Sequence, residues 1–254
     1  MAHIISVINN KGGTGKTTTT LNLGSALSKK GYKVLLIDFD SQSNLTSALG
    51  VNKVENHIGK LLLNDLSLKE VLIPLNGLSL IPSTNYLLDY EYRINNEPGR
   101  EYLLKETLDP IQSKYDYILI DCGPSLGTFA INSLVAADFF IVPMQAENFA
   151  FIGLDKIIQI TDKVKKRMNP RIEMAGILFV KFSTRTKFSK AVLKSLVNNE
   201  RFKHKVFETK IRTDISLMES TAFGENIFSY APNSRGAEDY MDLANELISK
   251  YGKK

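Results

Sequence analysis

Residues 9–18 have the sequence Asn9-Asn10-Lys11-Gly12-Gly13-Thr14-Gly15-Lys16-Thr17-Thr18, and this short stretch decides the fold. It follows a predicted strand, His3–Ile8, and opens a predicted helix, Thr17–Lys30, which ends before a glycine. Glycines at a strand-to-helix turn let backbone N–H groups point inward, and the helix N-terminus adds positive potential. A lysine and a hydroxyl at the end of such a turn reach the phosphates and the Mg²⁺ of a nucleotide. The stretch therefore predicts a phosphate-binding loop.

Short apolar runs alternate with helical patterns along the rest of the chain. The runs are nearly continuous, as expected for strands of a parallel sheet that is covered on both faces. The predicted strands are His3–Ile8, Lys33–Asp38, Leu78–Ile81, Tyr115–Asp121, Phe139–Pro143, Ala175–Val180 and Val206–Ile211. The predicted helices are Thr17–Lys30, Arg100–Ser113, Leu126–Ala136, Gly153–Met168, Phe188–Asn198 and Arg235–Tyr251. This order predicts an α/β fold: a single doubly wound, mostly parallel sheet with helices on both faces, formed by one domain over residues 1–254.

The composition excludes several classes of protein. With 254 residues, 43% of them apolar, and a net charge of +5, the chain does not have the composition of a disordered protein. The single cysteine, Cys122, cannot pair within the chain, which excludes a disulfide scaffold and favours a reducing compartment. No segment matches a signal peptide or a membrane span. These features predict a cytoplasmic protein.

The charge is distributed unevenly. Residues 1–150 hold 12 Lys and Arg against 15 Asp and Glu, whereas residues 151–254 hold 20 against 12. Most of the excess lies between Lys163 and Arg212, with 15 basic and 3 acidic residues. A polyanion near this half of the chain would be attracted. A solvated, lysine-rich surface would have the same composition. Charge alone therefore leaves both interpretations open.

Acidic residues follow two of the predicted strands. Asp38 and Asp40 are two apart on an extended segment and so point the same way, and Asp121 ends the apolar run Tyr117–Ile120. The carboxyl ends of parallel strands face the ligand crevice of an α/β sheet. We therefore expect these carboxylates beside the phosphate loop, where they would position the water or the metal in phosphoryl transfer. The alternative is that the first two simply cap a turn.

The glycine-rich loop resembles the deviant Walker A motif of the ParA/MinD family of ATPases, in which an extra lysine precedes the glycines. The resemblance implies ATP and Mg²⁺ as cofactors and an ATP-sandwich homodimer in which Lys11 reaches the nucleotide held by the other subunit. It implies that Lys11, Lys16 and Asp40 are catalytic, with Asp40 orienting the attacking water. It implies metal binding by Thr17, Asp40 and Asp121, and nucleotide contacts by Lys11, Gly12, Gly13, Thr14, Gly15, Lys16, Thr17, Thr18, Asp38, Asp121 and Glu147.

Two positions depart from the family pattern. The segment Asp38–Gln42 is similar to the family's Asp-x-Asp-Pro-Gln motif, but Ser41 replaces the proline. The loop after Asp121 usually contains two prolines, and here Gly123 replaces the first. In the family this loop acts as a switch beside the γ-phosphate. The glycine therefore predicts a looser loop.

The C-terminal segment Ser234-Arg235-Gly236-Ala237-Glu238, followed by an amphipathic helix, is similar to ParA/Soj-type partition proteins of this family. The resemblance implies slow ATP hydrolysis stimulated by a ParB-like partner, and non-specific binding of double-stranded DNA by the ATP-bound dimer. Such a protein segregates plasmid or chromosomal DNA and is associated with the nucleoid. DNA contacts are expected at Arg185, Lys187, Lys190, Lys194 and Arg212. Arg212 would compensate for Ser216, where the family often has an arginine.

Three alternatives have a basis in the sequence. A nucleoid-bound positioner of a protein cargo would have the same motifs. A MinD-like ATPase would bind a membrane through the C-terminal helix, but the acidic residues of 239–254 favour a packed helix, so no stable membrane anchor is expected. Residues 123–127 also match the Gly-x-Ser-x-Gly pattern of α/β-hydrolases, with Ser125 as nucleophile and His204 as the one downstream histidine.

Overall fold

The computed structural model describes residues 1–147, 150–183 and 185–252, and these residues contain seven strands in one sheet. The strands are β1 His3–Val7, β2 Val34–Phe39, β3 Ile73–Leu75, β4 Leu78–Ile81, β5 Tyr117–Cys122, β6 Phe139–Met144 and β7 Glu173–Phe179. Their order in the sheet is β3-β4-β2-β5-β1-β6-β7. Every neighbouring pair is parallel except β3 and β4. The predicted α/β fold with a mostly parallel sheet is confirmed.

Helices fill most of the connections between the strands. They are α1 Lys16–Lys29, α2 Asn44–Ala48, α3 Ile58–Leu62, α4 Leu68–Val71, α5 Leu87–Asn95, α6 Leu103–Leu108, α7 Thr128–Ala136, α8 Ala150–Arg167, α9 Lys187–Val197, α10 Ser216–Ala222, α11 Ile227–Tyr230 and α12 Arg235–Tyr251, with a 3-10 turn at Gln112–Lys114. In the described part of the chain, no helix is long and apolar enough to cross a membrane.

The sheet buries side chains on both of its faces. On β5, Ile118 and Ile120 belong to the core that includes residues of α7 and α8, whereas Tyr117 and Leu119 belong to the core that includes residues of α1 and α12. Successive residues of a strand point to opposite faces, so an unbroken apolar run is what a two-sided burial requires. Because β1, β2, β5 and β6 are parallel, their carboxyl ends lie at the same edge of the sheet.

The predicted strand Val206–Ile211 does not form a regular strand. It lies along β7, and the Phe207 N–H donates to Ile177 O while the Ile211 N–H donates to Phe179 O. Between these contacts, the N–H groups of Glu208 and Thr209 donate to the carboxylate of Glu246 on α12. Because these two donors bond to a helix side chain, the ladder is reduced to isolated bridges.

Two further differences have local causes. The short strand β3 was not predicted, yet it forms a hairpin with β4 through Asn76-Gly77, and Gly77 has a positive φ of 76°. Asn-Gly is a strong hairpin sequence. The predicted helix Arg100–Ser113 is broken after α6, because Pro110 lacks an N–H and disfavours helical geometry at the residue before it.

Candidate functional site

The backbone conformation of the loop between β1 and α1 requires glycines. Gly13 and Gly15 have φ values of 72° and 78°, which L side chains rarely adopt. Gly15 precedes α1, whose first turn has neither a capping side chain nor an acidic residue. The first N–H groups of a helix have no intrahelical partner and attract anions. The loop therefore has the backbone geometry of a phosphate cradle.

Lys16 is drawn into this loop. Its Nζ donates to the Lys11 carbonyl at 2.9 Å, and Thr14 Oγ1 donates to the same carbonyl at 3.3 Å. The Lys16 residue is buried, and burial lowers the pKa of its ammonium group. The loop thus brings the lysine head group to its interior without a carboxylate partner at hydrogen-bonding distance in the described structure.

Two side chains whose contacts the sequence analysis did not predict connect the loop with β6 and the residue that follows it. Gln145, just after β6, donates from Nε2 to Gly13 O at 2.7 Å. Asn9 donates from Nδ2 to Pro143 O at 2.7 Å, and its Oδ1 accepts from the Lys11 N–H at 3.0 Å. The contacts of Asn9 with Pro143 and of Gln145 with Gly13 each join residues more than 130 positions apart, so spacing gives no indication of them.

Two buried carboxylates lie side by side beneath the loop. Asp38 on β2 and Asp121 on β5 are register partners in adjacent parallel strands. Asp38 Oδ2 accepts from the backbone N and the Oγ1 of Thr46, at 2.8 and 2.7 Å. Thr17 Oγ1 donates to Asp121 Oδ2 at 2.7 Å, whereas Asp121 Oδ1 is buried and accepts no hydrogen bond in the described structure. A buried oxygen with an unused lone pair suits a cation or its water shell.

The pKa values of both carboxyl groups are perturbed upward. Burial, opposed by the Thr46 hydrogen bonds, raises the pKa of Asp38 to about 6. Burial and the neighbouring Asp38 charge hold the pKa of Asp121 well above its ordinary value. Two adjacent buried anions are costly in a protein interior. A cation bound between the loop and these strands would relieve that cost.

We expect Asp121→Asn to stabilise the nucleotide-free protein by about 1 kcal/mol or more at pH 7.5. A carboxyl group whose folded-state pKa is raised destabilises the folded state as the pH rises above the unfolded-state value. The gain should therefore shrink as the pH falls below the raised folded-state pKa of Asp121 towards about 4, below which this carboxyl group is protonated in both states. Urea unfolding across this pH range measures it. Asp89→Asn is the matched control and should not stabilise the protein, because Asp89 is exposed in the first turn of α5, where a negative charge is favourable. A destabilised Asp121→Asn would contradict the prediction.

Asp40 lies in the loop after β2, next to the loop that follows Asp121. Its Oδ1 accepts from the Gln42 N–H at 3.1 Å. A Cβ added to Gly123 would lie 3.0 Å from that same oxygen, so Gly123 leaves the space that the carboxylate occupies. The two loops border a cavity of about 160 Å³, which Glu91 of α5 also lines. Ser41 is half-buried in the wall of this cavity.

The remaining predicted site residues fall into two groups. Arg185, Lys187, Lys190 and Lys194 are all exposed, and the three lysines lie on one face of α9. Glu147 is exposed after β6. Arg212 is different, because it donates to Asp239 from both its backbone N and its Nε and also pairs with Glu238. These contacts raise the pKa of the guanidinium group. Arg212 therefore anchors the start of α12, and its role as a DNA contact stays a prediction.

The hydrolase interpretation fails on topology. Ser125 follows β5, whereas His204 immediately precedes the segment that pairs with β7. Strands β1 and β6 separate β5 from β7, and neighbouring strands are about 4.8 Å apart. The two side chains therefore belong to distant parts of the sheet. Cys122 is also unsuited to nucleophilic chemistry, because burial raises the pKa of its thiol to about 11.

Comparisons with known proteins agree with the fold and the loop. The family model described as "AAA domain" matches residues 2–174. The chain is 38% identical to the sporulation initiation inhibitor protein Soj of Bacillus subtilis over 98% of this chain and 99% of that protein. It is 37% identical to the chromosome partitioning protein ParA of Myxococcus xanthus over 98% of this chain and 89% of that protein.

Two solved structures are similar over nearly the whole chain. One is a cobyrinic acid a,c-diamide synthase from Mycobacterium smegmatis with a bound ATP analogue and magnesium, with a TM-score of 0.84, 30% identity, and coverage of 100% of this chain and 98% of that one. The other is the septum site-determining protein MinD from Pyrococcus horikoshii with Mg-ADP, with a TM-score of 0.78, 28% identity, and coverage of 97% and 96%.

Proposed function

The chain belongs to the ParA/Soj-type partition ATPases of the ParA/MinD P-loop family, and from that premise we propose that it is an ATP-dependent dimeric switch. In the ATP state the dimer binds double-stranded DNA without sequence preference. Slow hydrolysis, stimulated by a ParB-like partner, releases the dimer and so drives the segregation of plasmid or chromosomal DNA. The observation that carries the proposal is the glycine cradle placed over the Thr17–Asp121 pair.

The cradle supports a bound ATP. At Gly12 an added Cβ would meet no atom within 4 Å, and its φ is not in the left-handed region, so the described chain itself gives no reason for a glycine there. A ligand or a second chain that approaches the backbone closely would supply that reason. Lys16 can exchange its hydrogen bond with the Lys11 carbonyl for the β- and γ-phosphates. Thr14, Thr18 and Glu147 would complete the nucleotide contacts.

The residues beneath the cradle fit Mg²⁺. Thr17 and Asp121 would hold it, with Asp40 close by, and the bound ion would neutralise charge on the β- and γ-phosphates. Asp121 already accepts from Thr17 and has an unpartnered buried oxygen, which is the oxygen donor that a hard cation or its water requires. Asp38 lies beside Asp121 on the adjacent strand and is held by Thr46, so it would shape the site rather than contact the phosphates.

The proposed hydrolysis uses three side chains. Asp40 orients the attacking water, since its carboxylate lies at the loop beside Gly123 and is half-exposed. Lys16 stabilises charge on the γ-phosphate of its own subunit. Lys11 does so for the nucleotide of the second copy. Hydrolysis is slow in this scheme because each site is complete only in the dimer, and the ParB-like partner accelerates it further.

The C-terminal helix supports packing rather than membrane attachment. Tyr240, Leu243 and Leu247 of α12 are buried in the core shared with α1. Tyr240 also hydrogen-bonds Thr19 of α1 through the two hydroxyl groups at 3.3 Å. A membrane-surface helix needs its apolar face available to lipid. We therefore favour DNA over a membrane as the surface on which the switch acts.

We expect the ATP-bound dimer to lose at least about tenfold in DNA affinity when Lys187, Lys190 and Lys194 are all changed to Ala. The three lysines are exposed on one face of α9, beside Arg185, and can neutralise phosphates without any change in the core. The slope of log affinity against log salt should fall by about 3. Fluorescence anisotropy with DNA duplexes of unrelated sequence, in ATP and Mg²⁺, measures both.

Lys29, Lys30 and Lys69 provide the matched control, since they are exposed and lie on other elements. Their triple Ala variant removes the same charge and should retain most of the affinity. Binding that depends on one operator sequence, or that does not depend on salt, would contradict the proposed mode of DNA binding.

A further inference from the structure

A groove between α7 and α8, on the face of the sheet opposite to α12, combines an apolar floor with a basic rim. Leu126, Ile131, Ile160 and Met168 are half-buried and form most of the floor of a cavity of about 400 Å³. The rim is formed by Lys156, Lys163 and Arg167 of α8. We call these seven residues the α7–α8 groove. None of them has a role in the proposed nucleotide or DNA chemistry.

The positive charge of the rim is not compensated locally. The three cations stand at i, i+7 and i+11 on α8 and so share one face of the helix. In the described part of the chain none of them takes part in an ion pair. The two acidic residues of α8, Asp155 and Asp162, both pair with Arg201. Helix α7 contains no acidic residue.

We propose that the α7–α8 groove binds an acidic amphipathic helix of a protein partner. Apolar side chains on one face of that helix would fill the groove, and flanking Asp and Glu would pair with the rim. The rim and floor extend from Lys156 to Met168, a length of about 18 Å at 1.5 Å per residue, which matches about three helical turns. DNA would use the rim but leave the apolar floor exposed, and a bilayer needs apolar groups that protrude rather than a concave surface.

The groove is connected to the nucleotide site by its own lining. Leu126 belongs to the loop that follows Asp121, and Gly123 of the same loop borders the Asp40 carboxylate. A helix seated in the groove would contact this loop directly. This inference goes beyond the proposed function and stands without it, because the binding surface is complete in the single nucleotide-free chain.

The test uses a designed 18-residue helical peptide with leucines on one face and glutamates on its flanks, labelled with fluorescein. Titration with the full chain, without nucleotide and at low salt, should give saturable anisotropy with a Kd of about 10–100 μM. The same peptide with lysines in place of the glutamates should not bind. Equal binding of both peptides would overturn the proposal.

Charge-reversal variants locate the site. Lys163→Glu with Arg167→Glu should weaken binding of the acidic peptide at least about tenfold. Lys165→Glu with Arg171→Glu makes the same change in net charge outside the groove and should retain most of the affinity. Thermal unfolding of each variant shows whether it is folded. Equal losses in the two double variants would overturn the proposal, since they would indicate binding to overall charge.

Two further measurements test the other possible occupants of the groove, which are polyanions and a second copy of this chain. Ile160→Asn with Met168→Gln keeps the charge of the groove and should also weaken binding of the acidic peptide at least about fivefold. If this variant binds as tightly as the unaltered chain, the rim binds polyanions only and the proposal is wrong. If sedimentation velocity shows self-association that Lys163→Glu with Arg167→Glu abolishes, the occupant is a second copy of this chain, which also overturns it.

Discussion

The Asp40→Ala chain is expected to bind ATP and Mg²⁺, to accumulate as a dimer, and to hydrolyse ATP at least about 100-fold more slowly than the unaltered chain. The cradle, Lys16 and the Thr17–Asp121 pair do not contact the Asp40 side chain through any hydrogen bond in the described structure, so nucleotide binding should persist. The carboxylate that orients the attacking water is lost. A dimer that depends on intact ATP should therefore live longer.

Phosphate release and size-exclusion chromatography with light scattering, both in ATP and Mg²⁺, measure this result. Glu91→Ala is the matched control, because Glu91 lines the same cavity as Asp40 from α5. Its hydrolysis rate should stay within about threefold of the unaltered chain. If the Asp40→Ala chain hydrolyses ATP at the normal rate, a group other than Asp40 orients the attacking water. A chain that stays monomeric with ATP would argue against the sandwich dimer.

The position of Asp40 also changes the interpretation of Gly123. The sequence analysis predicted a looser loop from the replacement of a proline. The structure gives the glycine a steric function as well, because a Cβ at this position would lie 3.0 Å from Asp40 Oδ1. The departure from the family pattern and the placement of the carboxylate are therefore physically linked. A side chain at 123 would force the Asp40 carboxylate to shift.

The sequence predicted the parts of the fold that local patterns determine. The central strands are continuous apolar runs since both of their faces are buried, and the cradle is marked by glycines that need positive φ. Six of the seven predicted strands are present. The hairpin at Asn76-Gly77 could also have been predicted, because its turn sequence is local.

The remaining features depend on contacts between distant positions. Val206–Ile211 has the composition of a strand, but Glu246 of α12 takes two of its N–H groups. The sequence gives no indication that the guanidinium group of Arg212 pairs with Asp239 of α12. The juxtaposition of Asp38 with Asp121 follows from the order and register of β2 and β5, which composition does not specify. In each case the contact joins residues that are far apart in the sequence.

A mixed dimer of Lys11→Ala and Asp40→Ala chains is expected to hydrolyse ATP at about half of the unaltered rate, although each homodimer is nearly inactive. If Lys11 acts on the nucleotide of the opposite subunit, the site in the Lys11→Ala chain keeps its own Asp40 and receives Lys11 from the Asp40→Ala chain. One of the two sites is then complete. If Lys11 acts within its own subunit, neither site is complete and activity is lost.

The mixed dimer is obtained by co-expression with two different affinity tags and sequential purification in ATP. A mixture of Lys16→Ala and Asp40→Ala chains is the matched control, because Lys16 is folded into its own cradle through the Lys11 carbonyl and cannot serve the opposite site. This second mixture should remain inactive. Rescue in both mixtures would indicate that Asp40, rather than Lys11, acts on the nucleotide of the opposite subunit. Rescue in neither would place Lys11 in its own subunit. Rescue confined to the first mixture is the result that requires Lys11 to act on the nucleotide of the opposite subunit. The two mixtures contain the same number of intact residues, so the difference between them depends on which chain carries each residue.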